Sequence, residues 1–185
     1  VISIFKSCGG TSHEIFTKLF NTAVLPVILY SAGIWGLRNF PKLNGILNKA
    51  GRFFLGLPPK APTTAVQGEM GWNSISYHTK LQVIRLYSRI KGMDDNRLTK
   101  RIFQWSEGLA GNNWVNSVKK FLQRNDLPDI TNLNSRDAIK VCSPVLEATE
   151  KENWRSNLWN DKGLANGNKL RTYRSFKKAF LRNPT

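Results

Sequence analysis

Acidic groups are scarce in this sequence: 12 Asp and Glu stand against 28 Lys and Arg over 185 residues, a formal charge of +16. A charge so far from zero points to a polyanionic partner, nucleic acid or an anionic membrane. Cysteine is as thin, with only Cys8 and Cys142. Two thiols cannot form a disulfide framework or a four-ligand zinc site, and a reducing, intracellular setting is expected. Both are read as buried thiols. Histidine is limited to His13 and His78, far apart in sequence. His13 is expected at the surface of a first helical turn, and His78 as a contact among cations. A Gly-rich phosphate loop and a Gly-x-Ser-x-Gly elbow are both missing, and neither Cys has metal-ligand spacing to a His. No catalytic and no metal site is therefore expected, and no cofactor. The most apolar stretch, Ala23 to Leu37, is too short to span a bilayer and carries Pro26, Ser31 and Gly33; it reads as a buried helix. The chain opens at Val1 without a basic leader or cleavage site, so no signal peptide is expected, and the missing Met suggests a piece of a longer protein.

What is present is a folding composition. Hydrophobic residues make up 41 %, with ten Phe and six Trp, too apolar for a disordered basic tail. The length suits one domain, or one with an appendage. The charge is unevenly placed. Residues 1–92 carry +9, residues 93–161 balance to zero, and residues 162–185 carry +7. Two basic surfaces around a neutral middle are expected.

Nearly every segment has helical period. Thr11 and Glu14 fit a capping box, followed by Phe16, Phe20, Ala23, Val27, Ser31 and Ile34 at helical spacing, with a kink at Pro26. Asn39 and Pro41 open a second helix with the stripe Leu43, Leu47, Ala50 and Phe54, ended by Gly56 and Pro58. A short helix runs from Thr63 or Thr64 to Glu69. Gly71 breaks it, and Ser74 caps a long helix to about Lys91. Asp94 or Asp95 caps a helix with Leu98, Ile102 and Trp105 as core, and Asn112 or Asn113 caps one with Trp114, Val118, Phe121 and Leu122 on one face. Ser143-Pro144 opens a helix to Trp159. Asn160 to Asn168 reads as a linker, and an amphipathic helix runs from Asn168 to Leu181. No alternating strand is found. The expected fold is all-α: a helical bundle over residues 1–125 with a looser helical extension over 126–185.

Three helix faces gather the cations. Lys42, Gly45, Lys49 and Arg52 share one line on the second helix. His78, Gln82, Arg85 and Arg89 form the one polar stripe of the Ser74 helix, which is otherwise apolar and hence mostly buried. Arg171, Arg174, Lys178 and Arg182 line the last helix, against Leu170, Tyr173, Phe176 and Phe180. Lys42, Lys49, Arg52, Arg85, Arg89, Arg171, Arg174 and Lys178 are the candidate contacts to a nucleic-acid backbone. Trp35, Trp105 and Trp114 fall on core stripes; Trp72, beside Gly71, reads as core ahead of a base-stacking role. Glu69 is expected to pair with a local Arg or Lys. Met93-Asp94-Asp95 lies between two helices with charged flanks, where helix capping accounts for the acids better than a metal-holding hairpin does.

Several blocks, in order along nearly the whole chain, resemble one family. Residues Lys18 to Tyr30 with Ile34-Trp35-Gly36, then Phe54-Leu55-Gly56-Leu57, Ala61 to Val66, Gly68-Glu69-Met70-Gly71, Asp95 to Leu98, Asn113-Trp114-Val115 and Leu170 to Lys177 resemble the region after the palm in reverse transcriptases of LINE-type, non-LTR retrotransposons. Ser31 stands where that family often carries Gly. The resemblance implies a thumb-like helical domain over 1–125 and a connector over 126–185 of an RNA-directed DNA polymerase. It implies that the catalytic palm and its divalent metals lie in another part of the protein, with nuclear and cytoplasmic localisation. The implied partners are RNA, DNA or hybrid duplex and the remainder of the reverse transcriptase, with no membrane. A thumb holds duplex by its backbone, with contacts that position and do not read sequence. Two other readings stand beside it: a free-standing helical DNA-binding module, and a basic protein-interaction scaffold.

Overall fold

A computed structural model describes residues 11–160, 170–177 and 180, without the side chain of Arg171. Among the described residues the chain is all-α, with no strand. In chain order it forms α1 (His13–Leu19), a π-helical turn (Phe20–Val24), α2 (Leu25–Ile28), α3 (Ala32–Trp35), α4 (Pro41–Phe54), α5 (Thr63–Met70), α6 (Ile75–Lys91), α7 (Leu98–Gly108), α8 (Trp114–Arg124), α9 (Ser135–Trp159) and α10 (Arg171–Phe176). Packing divides the chain into two units. One unit takes the described parts of Val1–Tyr30, Lys42–Asn73 and Lys151–Thr185; the other takes Ser31–Pro41 and Ser74–Glu150.

The first unit is held by aromatic side chains. Ser12, not Thr11, caps α1 by accepting from the Ile15 N–H. Phe16 and Phe20 are buried, and Trp72 stacks on both, with centroids 5.9 and 4.6 Å away. Its indole N–H donates to Thr17 Oγ1 at 3.0 Å. Trp72 is thus core, as expected. His13 is not a surface residue: its ring lies edge-on to Phe54 and its Nε2 donates to the Met70 carbonyl at 3.1 Å.

The expected run of one face from Phe16 to Ile34 fails at Pro26. A proline ring clashes with the carbonyl four residues back and removes a donor. Just ahead of it the helix widens, with the Leu25 N–H reaching back five residues to Phe20, a π-bulge that takes in one extra residue. The extra residue turns the following face, so Leu25 is buried while Ala23 and Val27 are exposed. Ser31 then adopts a left-handed conformation (φ 53°). The stretch 23–37 is therefore not one buried helix: Val27, Tyr30 and Ile34 are exposed.

α4 starts at Pro41 and buries Leu47, Asn48, Ala50 and Gly51. It meets α5 closely at Gly51, where a Cβ would stand 2.8 Å from Val66 Cγ1 and 3.0 Å from Met70 Cγ. The chain past α4 is fixed to it by Arg52, whose guanidinium donates to the Ala61 carbonyl at 2.8 Å and to Thr63 Oγ1 at 3.0 Å. Gly71 (φ 61°) ends α5. From α9 and α10, Trp154, Leu158 and Leu170 form a further cluster against Ala65, Tyr173 and Phe180. The Trp154 indole donates to the Thr64 carbonyl at 2.9 Å.

The second unit is built round α6, capped as expected by Ser74, whose hydroxyl accepts from the Tyr77 N–H. Val83, Ile84, Tyr87 and Ile90 join Phe103, Val115, Val118, Ile130, Ala138, Cys142 and Leu146 in one core. α3 lies directly on α6 because Gly36 has no side chain: a Cβ there would sit 2.7 Å from the Thr79 carbonyl oxygen. Thr79 Oγ1 donates to the Gly36 carbonyl at 3.0 Å. Asn113 caps α8 by accepting from Asn116.

Three expectations differ from the structure, one on α9 and two on α7. α9 begins at Ser135, nine residues before Pro144 of the Ser143-Pro144 pair expected to open it. Asn134 caps it, its Oδ1 accepting from the N–H groups of Arg136 and Asp137, and Pro144 is carried inside. On α7 the inner residue is Phe103, while Leu98, Ile102 and Trp105 are 71 %, 52 % and 67 % exposed. The same helix carries Glu107, which meets Lys119 at 3.0 Å and Lys91 at 3.8 Å. Its N-terminus is not capped by an Asp: Arg97 holds the N-cap position, and Asp94 accepts instead from the Asn96 N–H in a local turn.

Candidate nucleic-acid interface

The described part of the first unit carries ten Lys and Arg against three acids, and the second unit thirteen against eight. In the first unit Lys177, Arg52 and Arg174 are spent on internal contacts. Lys177 Nζ meets Glu69 at 3.0 Å, and Glu69 also accepts from the Tyr173 hydroxyl at 2.8 Å. Burial and the Glu69 carboxylate push the Tyr173 phenol well above its usual range. Glu69 does pair with a lysine, although one more than a hundred residues along the chain. Arg52 clamps the Ala61 carbonyl, and Arg174 donates to backbone carbonyls of its own unit.

The eight candidate residues separate accordingly. Lys42 and Lys49 are exposed on the outer face of α4, with Gly45 between them. Among the described residues neither forms an ion pair. Arg85 and Arg89 are exposed on α6. Arg85 leans on the Gln82 side-chain oxygen at 3.4 Å, and Arg89 meets no carboxylate among the described residues. His78, on the same stripe, is half-buried, and burial lowers its pKa to about 4. At neutral pH it adds no charge, so the stripe is cationic through its two arginines alone. Arg52 is half-buried and spends its donors inside its own unit. Arg174 donates to the carbonyls of Leu170 and Trp159 at 3.4 and 3.2 Å, and its guanidinium lies 5.8 Å over the Trp159 ring. Lys178, Arg182 and the side chain of Arg171 lie outside the described residues, as do Cys8 and most of the Asn160–Asn168 linker.

The remaining chemistry is structural. Cys142 is fully buried and unpaired, and burial raises its thiol pKa. Asp95 accepts from Gln104 at 2.8 Å. Among the described residues no group of three or more His, Cys, Asp or Glu is placed to hold a metal ion. No helix there is long and apolar enough to cross a membrane. Sequence reading did not single out Trp159 or Phe176 as surface groups, since both sit on apolar patterns that predict packing.

No family model, curated protein or solved structure matches this chain.

Proposed function

We propose that this chain binds a nucleic-acid backbone, as the helical region following the palm of a LINE-type reverse transcriptase would hold its template–primer duplex or element RNA. The observation that carries the reading is the exposed, uncompensated charge. Lys42 and Lys49 on α4, and Arg85 and Arg89 on α6, project from rigid helices and meet no carboxylate among the described residues. Cations so placed release counterions from phosphates and bind without reading bases. The left-handed backbone at Ser31 adds support for the family resemblance, because such a position is what glycine serves best, and glycine is common there in the resembled family. Chemistry, on this reading, belongs to a part of the protein outside this chain, and so do the divalent metals.

The exposed apolar seam of α7, Leu98, Ile102 and Trp105, favours a second role beside the first. Seams of that kind mark protein contacts, and the remainder of the polymerase is the partner proposed for it.

The test is fluorescence anisotropy with RNA–DNA hybrid duplexes of unrelated sequence, at rising salt. Similar affinities, falling linearly with log salt concentration, are expected. A preference of about a thousandfold for one sequence would favour a free-standing DNA-binding module. No binding at low salt would leave a protein-interaction scaffold.

A further inference from the structure

An exposed indole offers a flat face on which another ring can stack. In the first unit Trp159 is 68 % exposed and Phe176 81 % exposed. Both belong to amphipathic segments whose neighbours are buried: Trp154 and Leu158 on α9, and Leu170 before α10. The core of these segments is thus satisfied without the two rings. Trp159 is also held in place. The Arg174 guanidinium lies 5.8 Å over its ring and donates to its carbonyl at 3.2 Å. One helical turn earlier, Arg155 is exposed and reaches Glu152 only at 3.9 Å, a surface pair of small worth.

We propose that Trp159, its ring held by Arg174, is a stacking platform for unpaired nucleotides, and that Arg155 steers the strand to it. The inference rests on the nucleic-acid reading above and names a substrate class for it: single-stranded RNA or DNA next to the duplex. Charge complementarity selects this occupant. The described part of the unit carries ten basic and three acidic groups, which repels a second copy of the chain. A flat indole beside guanidinium groups is the arrangement that stacks a base and contacts its phosphate. Every base offers a π-face, so the platform is tolerant of sequence, as the phosphate contacts are.

The test compares the whole chain with its Trp159→Ala, Trp159→Phe and Phe176→Ala variants. The probes are a single strand of about 12 nucleotides, within the usual site size, and a blunt hybrid duplex of the same length. Trp159→Ala is expected to weaken single-strand binding by about five- to a hundredfold, the worth of one stacked base. Phe176→Ala, which removes an exposed ring with no ring contact to Trp159 among the described residues, is expected to leave single-strand affinity within about twofold, and Trp159→Phe to keep most of it. Duplex affinity is expected to stay within about twofold. Equal losses on both probes overturn the platform and leave a general charge effect. Unchanged affinity on both also overturns it and assigns the rings to a protein contact. If the wild-type chain binds the duplex but the single-strand result fails, the phosphate-binding reading survives alone. If the wild-type chain binds neither probe, both fall.

Discussion

Two glycines of α4 are expected to respond oppositely to alanine, because one faces open space and the other a close neighbour. At Gly45 a Cβ meets nothing within 4 Å, whereas at Gly51 it would lie 2.8 Å from Val66 Cγ1 and 3.0 Å from Met70 Cγ. Both replacements gain the same helix propensity, about 0.5–1 kcal/mol for Gly to Ala in a helix interior. Gly45→Ala keeps that gain. Gly51→Ala must move Val66 and Met70, which are 1 % and 0 % exposed, and a branched valine has few alternative rotamers. Overpacking of this kind costs about 1–3 kcal/mol. The net expectation is a loss of about 1 kcal/mol for Gly51→Ala and a difference of about 2 kcal/mol between the variants. Urea unfolding followed by circular dichroism reads the difference as a midpoint separation of about 1 M, since m is about 1–3 kcal/mol/M for small proteins. Equal stabilisation by both alanines would refute the close approach of α4 and α5. The same variant probes the site. Gly45 sits between Lys42 and Lys49, so a phosphate backbone seated there should bind Gly45→Ala more weakly although its fold is firmer.

Three further outcomes follow from particular residues. Ser31→Gly should stabilise by about 1 kcal/mol, because the left-handed conformation at φ 53° costs a side-chain-bearing residue about 1–2 kcal/mol; a lower melting temperature would contradict this. His78, lowered to about 4 by burial, favours the neutral ring in the folded state. Its contribution is complete above the unfolded pKa near 6.5 and is lost as pH falls toward 4, by about 2 kcal/mol once partial solvent access is discounted. His78→Gln should flatten that part of the stability–pH curve, measured by urea unfolding at several pH values. Arg52→Ala should cost about 1–2 kcal/mol by leaving the Ala61 carbonyl without its donor, while hybrid-duplex affinity changes less than for Lys49→Ala. A larger affinity loss at Arg52 would return it to the interface.

Helix ends were legible where a side chain supplies the missing hydrogen bond locally. Ser74, Asn113, Pro41 and Gly71 stand at the boundaries their chemistry predicts. Asn134 with Asp137 carries the same signal, since Asn134 Oδ1 accepts from the Asp137 N–H at 3.0 Å; Pro144 obscured it, because a proline is read as a helix start and here lies inside. Helix faces were less legible, since the pattern shows a stripe but not what it faces. On α7 the buried residue is Phe103, while the three apolar residues of the expected stripe lie outside. The π-turn before Pro26 shifted another face by one residue, which no fixed period anticipates. At the interface the sequence located the cations, but only folding separates Lys42 and Lys49, open to solvent, from Arg52 and Lys177, which hold their own unit together.

The central claim is that exposed cations on fixed helices hold a nucleic-acid backbone. The most direct measurement is the salt dependence of RNA–DNA hybrid duplex affinity for the wild-type chain and for Lys42→Glu/Lys49→Glu. The account predicts weaker binding of the double variant to every sequence tried. It also predicts a salt slope shallower by about 2, since each phosphate contact contributes about 0.9 to the slope. An unchanged slope and affinity would contradict it.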